Sequence, residues 1–549
     1  MLVRFQQPVF KKIGCDLQPE RKTDSMEVKK MAFMNELYKQ MTQEKQTTEN
    51  GAIGYRTSGK QLLDANFAVS SMRDWCDERI RQMFTKVYYE NPLLAVKWLF
   101  YLRDIRGNGM GERHIFRVCM NWLLKNHYEY AKNVVPLIPE YGRFDDWFCL
   151  IDTQAGEEII RAMKMQLMRD LEAVETGGQV SLLAKWLPSC HTSSAETRKL
   201  ARDIYQAFGF SEEEYRKILS KLRAYLNVVE VKMSANRWDD IDYSKVTSRA
   251  NLIYGRAFLK NDEMRRRDFL NKLVRGEEKI HADTLFPSDI VSKYYERGSY
   301  RWKFNLKAKD DTLEALWKAL PDHVSGDAST LVVRDGSGSM TVNVGNTDMT
   351  ALDVATALAI YFSEHCRGEF KNQFITFSAC PQLVDLSCTE SLRDKLEICS
   401  AYDECSNTDI QAVFQLILNT ALANDMPQED MPRNILIISD MEFDSAVTYP
   451  GSLRRSEKGG LLSLFEQIRN EYESNGYQMP RLVFWNVYSR TNTIPLQQNE
   501  AGVALVSGFN PTVYQMVLSD ELDPYRCLLQ QLNAKRYDAV EQALGEKRG

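Results

Sequence analysis

The sequence predicts a multidomain chain in which an all-α helical-repeat region precedes a doubly wound α/β domain. Three observations lead there. From about residue 35 to residue 320, apolar residues recur at spacings of three and four, the period of amphipathic helices. After Pro321 the pattern changes to short β-branched apolar runs alternating with helical segments, which specifies a parallel sheet covered on both faces. The length, 549 residues, exceeds what one hydrophobic core normally serves.

In the first region the helical period is plain in LLAVKWLFYL, HIFRVCMNWLL, EEYRKILSKLRAYLNVVEV and ANLIYGRAFL, with Gly- and Pro-bearing connections at 107–111, 136–139, 176–178 and 209. No strict repeat period emerges, so the expected packing is an irregular, HEAT-like solenoid or a ring of helical hairpins. In the second region TLVVRD, NQFITFS, NILIISD, RLVFWNVY and VALVSG read as strands. The predicted division is a poorly organised segment over 1–34 (within which Met26, Met31 or Met34 are alternative starts), a helical region over 35–320, a linker over 321–326 and the α/β domain over 327–549.

Composition narrows the function classes. Hydrophobic residues make up 44% and charged residues 26%, an ordinary soluble balance. No apolar run approaches the roughly 18 residues that span a bilayer, and no secretory h-region opens the chain, so the cytoplasm is the expected compartment and no membrane partner is expected. The 11 cysteines form no CxxC pair, and the 6 histidines form no HxxxH or HExxH pattern. Neither a disulfide framework nor a zinc hydrolase fits that usage. Charge is uneven: Lys and Arg outnumber Asp and Glu by 52 to 42 over residues 1–310 and are outnumbered 18 to 33 over 311–549. A basic half joined to an acidic half suits a polyanion-binding module tethered to a metal-binding one, and equally suits two unrelated surfaces.

In open parallel sheets, ligands bind beyond the carboxyl ends of the strands. Two predicted strands end in aspartate, TLVVRD at Asp335 and NILIISD at Asp440. Asp335 opens the turn DGSGSM, which sets hydroxyls at Ser337 and Ser339 on one Gly-containing bend. A hard cation takes such oxygens, and few carboxylates with neutral hydroxyls suit Mg²⁺, with Mn²⁺ or Ca²⁺ as substitutes. DGSGS at a strand end resembles the DxSxS metal-ion-dependent adhesion site (MIDAS) of von Willebrand factor A domains. That resemblance implies a threonine from a later loop, matched by Thr408, and an aspartate from the fourth strand, matched by Asp440. The metal set it implies is Asp335, Ser337, Ser339, Thr408 and Asp440, with one position left for a partner's carboxylate. The sequence departs from the pattern after Asp440, where Met441 and Glu442 stand at the usual Gly.

The helical region carries polar–aromatic clusters at 101–114 (YLRDIRGNGMGERH), 141–147 (YGRFDDW), 185–189 (KWLPS) and 231–246 (VKMSANRWDDIDYSKV). RDIRGNGMGER and YGRFDDW, together with the adhesion-site motif, resemble the TROVE modules of Ro ribonucleoproteins. With KWLPS, YRKILSKLR and ANRWDDIDYSKV the chain is more similar still to an uncharacterised TROVE-like family of plants, fungi, giant viruses and phages. The Ro resemblance implies a helical ring that holds small structured RNAs and single-stranded RNA ends. Cations interleaved with aromatics suit phosphate contact and base stacking. The candidates are Arg103, Arg106, Arg113, Arg117, Arg143, Lys185 with Trp186, Arg216, Arg223, Arg237 with Trp238, Arg265, Arg266 and Arg267, followed by the basic stretch 297–309. The competing reading makes Arg103 with Asp104, and Arg143 with Asp145 and Asp146, ion pairs between helices.

The expected function is therefore non-enzymatic RNA binding, with the Mg²⁺-binding domain closing the ring or recruiting a partner. Two rivals stay open: a metal-dependent protein scaffold without RNA, and a metal-dependent nuclease or phosphatase. The second would need further acids at the site, for which Asp403, Glu404, Glu442 and Asp444 are the candidates.

Overall fold

The computed structural model describes residues 45–47, 53–296, 305–324, 329–345, 347–403, 408–442, 461–490, 503–514 and 523–545. The predicted 1–34 segment, Glu404, Asp444 and most of the 297–309 stretch lie outside them.

The expected helical region is helical. Its longer helices are α1 (Gln61–Phe67), α2 (Asp77–Glu90), α3 (Pro92–Arg103), α4 (His114–Asn126), α5 (Gly156–Thr176), α6 (Ala195–Ala207), α7 (Glu212–Tyr225), α8 (Ser248–Asn261), α9 (Glu263–Val274) and α10 (Asp311–Lys318). Local chemistry sets their ends. Asn91 accepts from Leu94 N at 2.9 Å ahead of Pro92, whose fixed φ suits a first helical position. Ser211 and Glu214 form a reciprocal capping box that starts α7. α2 buries only Ile80, Phe84, Val87 and Tyr88, one stripe, whereas α3 is buried at every position from Ala95 to Arg103. α3 is thus the central helix of its neighbourhood.

The predicted strands form one six-stranded sheet: β1 (Thr330–Asp335), β2 (Gln373–Phe377), β3 (Leu383–Asp385), β4 (Asn434–Ser439), β5 (Arg481–Asn486) and β6 (Val503–Ser507). Their order is β6-β5-β4-β1-β2-β3, all parallel except the antiparallel edge strand β3. Strand residues alternate between two cores. Val332, Phe374, Leu436, Ile438, Val483 and Trp485 face α11 (Ala351–His365), while Leu331, Val333, Ile375, Ile435, Ile437 and Phe484 join Phe414 and Ile417 of α13 (Ile410–Ala423). Burial on both faces explains why β1 and β4 read as continuous apolar runs rather than alternating ones. Between α11 and α13 in the chain lies α12 (Leu392–Ser400), and α14 (Leu461–Ser474) precedes β5.

The predicted boundary at 321–326 marks a change of pattern and no break in packing, because residues Gln46–Gly549 belong to one compact unit. The core on the α11 face of the sheet runs without interruption into the helical region. Its start docks on the sheet: Ser70 N donates to Ser507 Oγ at 3.2 Å, and Asn486 Nδ2 donates to Phe67 O at 2.9 Å. Its end docks as well, where Trp317 Nε1 donates to Glu364 Oε2 at 2.8 Å. After the sheet the chain returns to α3 through α15 (Pro524–Leu532) and α16 (Asp538–Ala543). There Arg536 pairs with Asp104 at 2.5 Å and Glu541 with the fully buried Lys97 at 2.9 Å.

One such contact makes a prediction. Buried Glu314 accepts from Leu392 N at 2.8 Å, Arg393 N at 3.1 Å and Tyr294 Oη at 2.7 Å, so a carboxylate from α10 caps the N-terminus of α12. Glu314→Ala is expected to cost about 1–3 kcal/mol of unfolding free energy, since it leaves the buried Leu392 N and the part-buried Arg393 N without their acceptor. Urea unfolding measures this, and a change below ~0.5 kcal/mol would refute the capping role.

Candidate metal centre

β1 and β4 lie side by side with Arg334 opposite Ile438, and the strand order reverses between them. Their carboxyl ends therefore open at the position where doubly wound sheets place ligands. Asp335 and Asp440 both emerge there, and both are fully buried. Asp335 Oδ1 accepts from Ser337 N at 2.9 Å, and its Oδ2 accepts from Ser439 Oγ at 2.6 Å. Asp440 Oδ1 accepts from Glu442 N at 3.2 Å, and Ser339 also hydrogen-bonds this carboxylate. The two hydroxyls of the turn, Ser337 Oγ and Ser339 Oγ, lie 2.9 Å apart. Burial pushes both carboxyls up from their ordinary range; with the Asp335 charge added, Asp440 rises to about 8.

The structure thus brings together four of the five predicted ligands. Thr408 is buried immediately before Asp409, whose side chain caps α13 through Ala412 N at 3.1 Å. Tyr402 lies against the serine turn, because a Cβ added at Gly336 would stand 3.3 Å from Tyr402 O.

Two residues that sequence reading did not assign complete the surroundings. Ser439 orients Asp335, and Arg490, at the end of the segment after β5, puts its guanidinium 3.6 Å from Asp440 Oδ2. That Oδ2 accepts no hydrogen bond among the described residues. Met441 takes φ 63°, in the left-handed region that favours glycine, the residue the resemblance leads one to expect there. The strain costs about 1–2 kcal/mol. Met441 is nonetheless 1% exposed in the core on the α13 face, and burying a side chain of that size stabilises by about 2–5 kcal/mol, so burial outweighs strain. Met441→Gly is expected to lower the melting temperature despite relieving the backbone.

Of the further acids, the two described ones have other partners. Asp403 pairs with the wholly buried Arg334 at 2.7 Å, and Glu442 accepts from Arg490 N at 2.9 Å. Among the described residues no three His, Cys, Asp or Glu side chains gather as a metal cluster. The set is instead two carboxylates with hydroxyls, the donor chemistry of a hard cation.

The arginine candidates divide into two groups. Arg103 is buried and donates to Asp146 at 2.8 Å, while Arg117 pairs with Asp146 at 2.7 Å and Asp145 at 2.8 Å. Arg143 pairs with Asp145 and lies over the Trp186 ring at 4.2 Å, and Lys185 lies 5.9 Å from the same ring. Arg223 donates to the carbonyls of Ala184 and Leu187 and to Ser189 Oγ. Arg266 is wholly buried among Tyr243, Phe258 and Phe269. Arg103, Arg223 and Arg266 are thus internal struts, which corrects their placement on an RNA face. The ion-pair alternative holds in kind, although Arg103 takes Asp146 rather than Asp104, which belongs to Arg536. Arg106, Arg113 and Arg216 are exposed. Arg237, Arg265 and Arg267 are exposed beside Asp240, Asp262 and Glu263 respectively. The glycines of the 101–114 cluster serve packing. A Cβ at Gly109 would meet Tyr101 O at 2.3 Å, and Gly111 has φ +75°.

Comparison with known proteins gives relatives without an assigned activity. The chain is 28% identical over 525 residues to the uncharacterized protein L728 of Acanthamoeba polyphaga mimivirus, covering 88% of this chain and 86% of that one. Residues 48–140 and 194–329 match a family model described as a domain of unknown function (DUF2828). Residues 329–542 match a second of the same description (DUF7788). The two models meet at residue 329, one residue before β1. Among solved structures, the Ro (RSR) protein of Deinococcus radiodurans aligns with TM-score 0.43 at 12% identity, over 82% of this chain and 99% of that one. At that TM-score the alignment bears no argument. No helix among the described residues is long and apolar enough to cross a membrane.

Proposed function

We propose that the chain is a non-enzymatic RNA-binding protein whose C-terminal part is a von Willebrand factor A-type domain holding Mg²⁺. The observation that carries the metal reading is Asp440 Oδ2: a carboxylate oxygen, buried, without a hydrogen-bond donor among the described residues, beside a second buried carboxylate. Such a pair is costly unless a cation joins it, and the Arg490 guanidinium at 3.6 Å stands beyond hydrogen-bond distance. Asp335, Ser337, Ser339, Thr408 and Asp440 would hold the ion, with Mn²⁺ or Ca²⁺ as substitutes. The bound ion would neutralise the pair and offer a coordination position to an incoming oxygen. Ser439 holds Asp335 and the Glu442 amide holds Asp440, so the protein's part is to keep both carboxylates aimed at one place.

RNA binding rests on the excess of Lys and Arg over residues 1–310 and on the exposed Arg106, Arg113 and Arg216. Docking of the start of the helical region on β6 and of its end on α11 supports the reading that the metal domain closes the helical arc. For the nuclease or phosphatase reading, Asp403 pairs with Arg334, and Glu404 and Asp444 lie outside the described residues.

The test is a titration of the full chain with structured and single-stranded RNA across salt concentrations. Binding is expected to weaken steeply with salt, as counterion release requires. The triple substitution of Arg106, Arg113 and Arg216 by Ala is expected to reduce affinity about tenfold or more at an unchanged melting temperature, since each phosphate contact contributes to the salt slope. Absence of binding at low salt would refute the RNA reading and leave a metal-dependent protein scaffold.

A further inference from the structure

Arg490 joins the metal centre to the helical region. Its NH2 lies 3.6 Å from Asp440 Oδ2, and its backbone N donates to Glu442 Oε1 at 2.9 Å. The guanidinium is about a quarter exposed (28%), so it can leave for solvent without tearing the core. The residues before it are tied on two sides. Val487 N donates to Ser439 O at 3.0 Å, next to both carboxylates. Ser489 N donates to Ser71 Oγ at 3.0 Å, and Tyr488 hydrogen-bonds Asp74. Ser71 belongs to the short helix Val69–Met72 at the start of the helical region. Two residues on, Arg73 pairs with Glu112, whose N donates to Leu102 O at 2.8 Å, and lies 3.8 Å over the Phe509 ring. A continuous set of contacts therefore leads from the metal centre to the loop between α3 and α4.

We propose that Arg490 is a tethered counter-ion: it stands over Asp440 when no metal is present and pairs with that carboxylate once it is ionised, a divalent cation must displace it, and the displacement is felt at Ser71 and Asp74. The proposal rests on the metal reading above and deepens it, because it makes occupancy of the site a signal to the helical region. The physical reason is the position of the guanidinium. It stands beside a carboxylate oxygen that accepts no hydrogen bond among the described residues, and two cations at that distance repel each other in a partly buried site. Arg490 therefore lowers the affinity for the metal while it stabilises the metal-free state. A purely structural arginine would have the opposite signature, since its removal would loosen the site and weaken binding.

The experiment measures Mn²⁺ binding to the full chain by electron paramagnetic resonance, with Mg²⁺ as competitor, for wild type, Arg490→Ala, Arg490→Lys and Asp440→Asn. Arg490→Ala is expected to bind Mn²⁺ about tenfold or more tightly than wild type, given the repulsion and the displacement step it removes. Arg490→Lys, which keeps the charge, is expected to fall between, and Arg490→Gln replaces the alanine variant if that fails to fold. Hydrogen exchange over residues 69–74 is expected to change on Mg²⁺ addition in wild type and to lose that response in Arg490→Ala. Unchanged or weaker Mn²⁺ binding by Arg490→Ala would overturn the proposal while leaving the metal reading intact. A metal-insensitive 69–74 segment in wild type would overturn the coupling. If neither wild type nor Arg490→Ala binds Mn²⁺ any better than Asp440→Asn, the metal reading itself fails, and the proposal with it.

Discussion

Mg²⁺ is expected to stabilise the protein strongly at pH 8 and hardly at all at pH 5. Asp440 in the metal-free chain carries its proton up to about pH 8, against 3.8 for an ordinary carboxyl. Between those values the folded state holds a proton that the unfolded state has released. Stability therefore falls as pH rises through the window, by about 1.4 kcal/mol per unit for one such group. Asp335 is raised too and acts in the same direction. A divalent cation favours both ionised forms and reverses the loss, so its binding strengthens with pH across the same window. Asp440→Asn removes the repulsion. In dialysed protein it is expected to melt above wild type at pH 8 and near it at pH 5, and to ignore added Mg²⁺. Differential scanning calorimetry at the two pH values, with and without Mg²⁺, decides the matter. A wild type whose melting temperature is equally indifferent to Mg²⁺ at pH 8 would remove the metal from this site.

The residues of this centre were legible in unequal measure, for physical reasons. Asp335 and Asp440 could be read because each ends a strand, and strand ends are written in local apolar pattern. Ser337 and Ser339 followed, being on the same turn. Arg490 could not be read this way, because its relation to Asp440 depends on how β5 lies beside β4 and on the path after it. Charge pairs show the same limit. Proximity in sequence suggested Asp104 for Arg103, but α3 presents Arg103 to Asp146, and Asp104 waits for Arg536, 432 residues on. The change of pattern at Pro321 likewise marked where helices give way to strands. It could not show that Phe67, Ser70 and Ser71 dock on β5, β6 and the segment after β5, so that both parts share one core. Periodicity reports which face of an element is buried, and it is silent on what buries it.

That distinction gives the second large effect. Asp146 is wholly buried and accepts from Arg103 Nε at 2.8 Å, Arg117 Nε at 2.7 Å and Arg143 N at 2.9 Å. Asp146→Ala strands the buried Arg103 guanidinium without its counter-charge, and the half-buried Arg117 keeps only Asp145. Breaking a buried pair by removing one partner costs about 3–5 kcal/mol, far above the 0–1 kcal/mol of a surface pair. Chemical unfolding is expected to show a loss of that size for Asp146→Ala and less than ~1 kcal/mol for Arg267→Ala, whose partner Glu263 is exposed. The comparison also separates the two roles open to arginines in this region. If Arg103 and Arg117 met RNA, replacing them would lower RNA affinity and leave stability alone. As struts around Asp146 they should do the reverse, and RNA contact falls to the exposed Arg106, Arg113 and Arg216. An Asp146→Ala variant that unfolds within 1 kcal/mol of wild type would mean that solvent reaches these arginines, and would return Arg103 and Arg117 to the RNA surface.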